Sequence, residues 1–442
     1  MEDYDLSSFG WDGCSIPTNL HSVCERLPTW KHIKLLRTPY IAKEATLYFP
    51  HTFFRPTGKT PYMPAYIKGT LENDGGYAQI FKGKRAIFRS KDNTHTGPVS
   101  LTKVTPFLDV CIKEVRLNIT PEEDGASPHT RADSYEDEIN AILYEVFLHA
   151  LLYKTLETEG FSSVVPYLHE VVGHTKNGGL PTSPTDFKSL WICMEFLTGT
   201  TLEKYLRRNL HVPTAPEGSV ERARIVEANE TILIDVFIQL AFYLHVLQEK
   251  LRFNHRDMKI NNVYIRHHEP SEKWTRVITI PGLGSWNCLI DLVMIDFGFA
   301  CISCGEGFLN PRATLVGAGS WFRTEHDCLK YGRDLGQFLY SLHCSFPLSK
   351  YISPAFFLIL SMALRATKGA PGSGAKRVDL LKGFEPSGKP IESAVIPPTI
   401  KFNDGIYLFL READVDVPDC RPKDFLRLLH VFRPEKLRSL KI

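Results

Sequence analysis

NHRDMKINN, residues 254–262, is the stretch on which the reading of this chain turns. It sets a carboxylate at Asp257, a cation two residues on at Lys259 and an amide at Asn262. Three groups of different chemistry on one short loop are more than a polar turn needs. Asp257 can take a proton, Lys259 can balance an anion, and Asn262 can ligate a hard divalent cation through oxygen. Phosphoryl transfer asks for that set: a carboxylate beside the acceptor hydroxyl, a positive side chain for the moving group and an oxygen ligand for Mg2+. The apolar run Val263–Ile265 reads as a strand that anchors the loop.

Two further stretches lie outward from this loop. Downstream, VMIDFGFA (293–300) runs apolar residues into Asp296, followed by Phe297 and Gly298. That is a strand-to-turn junction with a carboxylate at its tip and backbone freedom behind it. Upstream, VCIK (110–113) puts Lys113 at the end of an apolar stretch. Taken singly, each is common: a surface lysine on a strand, a turn, a polar cluster. In this order they resemble the eukaryotic-type protein kinase superfamily, as a divergent, serine/threonine kinase-like member. His255, Arg256, Asp257 and Asn262 match the catalytic loop, with Met258 in place of leucine. Asp296 to Gly298 match the metal-binding segment, and VCIK matches the β3 motif with Cys111 in place of alanine. The lysine two after the aspartate separates this pattern from small-molecule phosphotransferases of the same fold and points to serine or threonine. LQEK ahead of the loop and a shortened activation segment are similar to kinase-like proteins of large DNA viruses and fungi.

The resemblance implies roles, ATP and Mg2+ as cofactors, and a protein substrate. Asp257 is the base and Lys259 the cation on the transferred group; Asn262 and Asp296 hold Mg2+. Lys113 meets the α- and β-phosphates and is held by a glutamate on the following helix, Glu145, with Glu138 as competitor. NDGGYAQIF (73–81) aligns with the phosphate-covering loop and keeps only the central glycine, Gly75, beside Gly76, with Ile80 at the valine position. Cys111 roofs the adenine, Met194 is the gatekeeper, and backbone groups of Glu195 and Leu197 bond the base. Asp334 braces the catalytic loop, with Asp327 as alternative. The closing Ala-Pro-Glu is absent, and GAGSWFRTEHD (317–327) stands there. Arg256 implies control by phosphorylation, with Thr314 and Ser303 as candidates. A pseudokinase would be marked by loss of Lys113, Asp257, Asn262 or Asp296, and all four are present.

Composition sets the frame. The 442 residues are 43% hydrophobic and 23% charged, which is globular, and a net charge of +2 argues against a nucleic-acid partner. The ten cysteines are irregularly spaced, with Cys301 and Cys304 a lone pair short of a zinc site. The N-terminus has no apolar run, and the longest apolar stretch, Phe356–Leu364, is too short for a membrane span. An intracellular place, cytoplasmic or nuclear, is the expectation; the oligomeric state is left open.

Strand patterns at Tyr77–Phe81, Phe107–Arg116 and Ser189–Phe196 surround a helix over Ser134–Leu156. Then come a helix after Thr201, a longer one over Thr231–Gln248, short strands near Val263–Ile265 and Leu289–Ile295, and mostly helices. This order predicts an α+β chain of two lobes. Residues 1–64 read as an N-terminal extension, 65–197 as a small β-rich lobe with hinge, and 198–442 as a larger helical lobe. Loop-like insertions fall at 90–102, 266–287 and 366–398. The second, read as a long hairpin, accounts for the excess over the family's usual spacing in the 39 residues from Asp257 to Asp296 (296 less 257).

Overall fold

The computed structural model describes residues 30–36, 40–41, 46–51, 62–74, 78–90, 101–117, 128–268, 276–304, 307–309, 329–368, 376–379 and 418–432. The chain divides into two compact units. Unit 1 takes Met1–Lys154 and Pro166–Leu197; unit 2 takes Thr155–Val165 and Thr198–Ile442.

Unit 1 contains β1 (Lys34–Leu36), β2 (Tyr40–Ile41), β3 (Thr46–Leu47), β4 (Pro50–His51), β5 (Tyr62–Asp74), β6 (Gln79–Ser90), β7 (Leu101–Lys103), β8 (Leu108–Arg116), all but the last four residues of helix α1 (Pro128–Thr158), β9 (Leu168–Thr175) and β10 (Phe187–Glu195). Eight strands make one sheet in the order β4-β1-β9-β10-β8-β6-β5, with β7 beside β6. It is mixed: β1 runs parallel to β9, and the other pairs are antiparallel. Alternation along β8 explains its two faces. Val110 and Ile112 join Tyr66, Phe81, Trp191 and Cys193 in one core. On the other face Val115, Leu190 and Ile192 pack under Ile139, Ile142, Leu143 and Val146 of α1. Those helix residues recur at three- and four-residue spacings, so they share one stripe.

The segment before residue 64 is partly built into this sheet. Tyr48 bridges Tyr66 and sets its ring edge-on to Trp191, 5.0 Å between centroids. β5 begins at Tyr62 and so crosses the boundary drawn from sequence at residue 64. Nothing in its composition announced it, because Pro64, Gly69 and the polar end TLEND interrupt the alternation.

Unit 2 holds β11 (Gly199–Thr201), α2 (Leu202–Asn209), α3 (Val220–Leu251), β12 (Phe253–Asn254), β13 (Val263–Arg266), β14 (Val277–Ile280), β15 (Gly284–Asn287), β16 (Asp291–Met294), β17 (Cys301–Cys304), β18 (Gly307–Leu309), α4 (Arg333–Ser345), α5 (Pro354–Ala363), β19 (Arg365–Lys368), β20 (Lys376–Asp379) and α6 (Pro422–Phe432). Thr201 caps α2 and Ser219 caps α3, each accepting a bond from a backbone N–H three residues on. The Ser219 cap starts α3 eleven residues before the expected start (231 less 220). Phe237 of α3 meets the rings of Phe338, Phe356 and Phe425, so α4, α5 and α6 converge on one side chain. Within α3 an 18-residue window has the length and hydropathy of a membrane span, and 78% of it is buried inside the protein.

The 266–287 insertion contains the hairpin β14–β15. Trp286 is buried and its Nε1 donates to Asp235 Oδ1 of α3 at 2.6 Å. Asp291, at the start of β16, takes Arg266 and Arg276 at 3.2 and 2.9 Å. The excess length is therefore pinned at both ends. Cys301 is disulfide-bonded, a pairing its spacing did not signal, whereas Cys111, Cys193, Cys288, Cys344 and Cys420 are free. Among the described residues there are six α-helices beside the mixed sheet, with most of the helices in unit 2. The composition is that of an α+β protein.

Candidate active site

Loop 255–262 leaves β12 and enters β13. Its geometry is set from α4, where Asp334 is fully buried. The Asp334 carboxylate accepts the backbone N–H of His255 at 2.8 Å and of Arg256 at 2.9 Å. The Asn254 amide adds a third bond at 2.9 Å. Donors that converge on one buried carboxylate balance its charge and fix the loop. Ser341, also on α4, accepts the N–H of Ile260 at 3.3 Å. On the far side, Ile295 N–H donates to Asn262 O, and His255 Nε2 lies 3.1 Å from Ile295 O. The His255 and Phe297 rings pack 5.3 Å apart. The loop and the turn after β16 are thus one assembly.

Asp257 sits at its centre, with its side chain 7% exposed. Its Oδ2 accepts Lys259 Nζ at 2.8 Å and Asn262 Nδ2 at 3.0 Å. Burial pushes its pKa up; Lys259 opposes the shift and the nearby Asp296 charge adds to it. Asn262 Nδ2 also donates to Asp257 O at 2.8 Å, so the amide nitrogen faces Asp257 and Oδ1 faces away. Asp296 is exposed. Arg256 and Asp296 both hold positive φ, 65° and 64°, conformations that non-glycine residues rarely adopt. Strain at two neighbouring polar positions is typical of a working site.

The donor set suits a hard cation. An amide oxygen and a carboxylate are Mg2+ ligands, and such a site takes its remaining ligands from phosphates and water. Among the described residues no three His, Cys, Asp or Glu side chains gather to make a closed protein cage.

In unit 1, Lys113 Nζ bonds Glu145 Oε1 at 2.5 Å, with both side chains largely buried. Glu145 rather than Glu138 is therefore the lysine's partner, because the register of α1 over the sheet turns Glu145 toward β8. Ile80 pairs across from Lys113, and Met194 across from Cys111. With the alternation of β8, these four side chains share the face that α1 covers. Burial raises the Cys111 thiol to about 11, so it is a neutral, inert lining group. Glu195 donates its N–H to Tyr167 O at 2.7 Å and accepts from Tyr167 N–H through Oε2 at 3.1 Å, which fixes the end of β10. Leu197 is the last residue of unit 1.

Gly75, Gly76, Thr314, Asp327, the Gly317–Asp327 stretch and the Ser303 side chain lie outside the described residues. Sequence reasoning missed Asn254 and Ser341. Asn254 carried a weak signal, a polar residue in an otherwise apolar strand; Ser341 carried none.

No family model matches this chain, and no curated protein matches it.

Proposed function

We propose that this chain is a protein kinase that transfers the γ-phosphate of ATP to serine or threonine hydroxyls of a protein substrate. In this reading unit 1 is the small lobe and unit 2 the large lobe of a kinase fold. The observation that carries it is the Asp257 cluster. A buried carboxylate with a raised pKa, a lysine and an amide share one oxygen, on a loop braced by a second buried acid. A structural ion pair has no need of an amide that donates to the same carboxylate oxygen as the lysine and to the backbone carbonyl of the same residue.

Asp257 orients the acceptor hydroxyl and takes its proton; a raised pKa makes it a better base near neutrality. Lys259, already within reach of Asp257, moves its charge to the transferred group. Lys113, fixed by Glu145, binds the α- and β-phosphates. Asn262 and Asp296 are the residues that would hold Mg2+. Mg2+–ATP, when bound, supplies the phosphoryl group and neutralises charge around it. The protein's part is positioning and electrostatics.

The test is transfer of labelled γ-phosphate to a generic protein substrate, wild type against Asp257→Asn. Label on serine or threonine that the variant fails to produce supports the reading. Absence of transfer by the wild type, with nucleotide still bound, would overturn it in favour of a pseudokinase or a small-molecule acceptor.

A further inference from the structure

Asn254 lies outside the kinase-like pattern and is fully buried. A buried amide must place two donors and an acceptor. Its main chain lies in β12, opposite Cys301 of β17, the strand that leaves the Asp-Phe-Gly turn. Its side chain reaches the other end of the same segment, just before α4. Oδ1 accepts Lys330 N–H at 2.6 Å, and Nδ2 lies 3.2 Å from Lys330 O and 2.9 Å from Asp334 Oδ2. The side chain thus reads both polar groups of one peptide residue. It also joins the carboxylate that holds His255 and Arg256. Three things meet at residue 254: the start of the segment after the turn, its end, and the catalytic loop.

We propose that Asn254 is a positioning residue. It clamps the segment between Asp296 and α4 to the catalytic loop, so that a protein substrate meets Asp257 in register. The inference rests on the kinase reading and deepens it. That segment lacks the Ala-Pro-Glu that closes it in the family, so its end needs another anchor. An amide suits this work because it donates and accepts in one plane without carrying a charge; leucine does neither, and an ionised aspartate only accepts.

The experiment uses the full chain with Asn254→Leu and Asn254→Asp. Hydrogen exchange is followed at the peptide containing Lys330, and kinetics with Mg2+–ATP and a generic protein substrate. In Asn254→Leu, exchange at Lys330 should rise about tenfold or more while the core of α3 stays protected. KM for the protein should rise about tenfold, with KM for ATP nearly unchanged. In Asn254→Asp two carboxylates face each other at the Asp334 contact, so its pKa is raised. Below that pKa its O–H can donate to Asp334 again. Activity should therefore recover, relative to wild type, as pH falls from about 8 to about 6. The split between the two KM values is the readout a merely structural role would not produce. Unchanged exchange at Lys330, an equal rise in both KM values, or an aspartate variant with the wild-type pH profile would overturn the clamp. If Asn254→Leu does not fold, the aspartate profile and its exchange decide. If the wild type transfers no phosphate, the kinase reading has failed, and exchange at Lys330 alone judges the clamp.

Discussion

Asp257→Asn separates chemistry from stability. The side chain is 7% exposed and its Oδ2 holds two donors, at 2.8 and 3.0 Å. Asparagine has nearly the same volume, so no cavity opens. Its amide oxygen can keep both donors, but the bonds become neutral, which weakens them by about 1 kcal/mol each. Against that, a buried charge is no longer present to be compensated. The two changes oppose one another, and the net should stay within about 2 kcal/mol. In a unit of this size that moves Tm by roughly 4–8 °C at most. Loss of a general base, in contrast, slows transfer by about 10² to 10⁴. At 1.36 kcal/mol per decade this is about 3–5 kcal/mol in the transition state. Asp257 is not assigned to the nucleotide, so ATP affinity should hold. The assay combines steady-state transfer of labelled phosphate, a thermal melt and nucleotide binding by fluorescence. A folded variant that keeps kcat within tenfold, or one that loses ATP affinity, refutes the role.

Three further outcomes are expected. Asp296→Asn should raise the Mg2+ concentration needed for half-maximal rate while leaving the melt unchanged, because the side chain is exposed; a titration that superposes on wild type removes Asp296 from the metal. Lys259→Ala takes away the cation that holds the Asp257 pKa down against burial. The base works only when ionised, above its pKa, so the acid limb of the kcat–pH profile should move to higher pH, and an unmoved limb would count against the pairing. Trp286→Ala empties a buried site and strands Asp235 Oδ1, so unit 2 should lose about 3–5 kcal/mol by chemical denaturation. A loss below about 1 kcal/mol would mean the hairpin is not pinned where the contact places it.

The Asp257–Lys259–Asn262 cluster was legible because three groups of different chemistry stand at fixed short range on one loop. Asp257, Lys259 and Asn262 fall within six residues, and one loop suffices to bring them together. The Lys113 partner was legible only as a choice of two, since the rotation of α1 over β8 is a tertiary fact. Helix α1 itself was visible from its apolar stripe. The first half of α3, VERARIVEANETI, is too polar to show one, and only the Ser219 cap fixes its start. β1 was invisible for another reason. It pairs with β9, from Lys34 to Val172, and no local pattern encodes a parallel partner that far along the chain. Asn254 was seen as part of the motif's flank, and its work depends on Lys330, which sequence cannot place beside it.

The departures from the family pattern share a logic. The turn between β5 and β6 keeps its ladder out to the Asp74–Gln79 pair. Gln79 is tied on both sides, donating to Asp74 at 3.0 Å and accepting from Arg116 at 2.7 Å. A turn held by side chains at its mouth has less need of flanking glycines for its shape. The missing Ala-Pro-Glu concerns how the platform is held, and Asn254 supplies an anchor of different chemistry at its end. Both changes touch binding or support. The side chains assigned to the reaction, Lys113, Asp257, Lys259, Asn262 and Asp296, are all present, and the first four sit in hydrogen bonds or ion pairs. Selection for a scaffold would relax the reacting groups first, because each costs burial or strain to keep: Asp257 is buried with a raised pKa, and Asp296 holds positive φ. Retaining those costs is what the proposed kinase reading expects of the Asp257 loop and of Asp296. On the kinase reading proposed above, the departure belongs in KM for ATP and not in kcat.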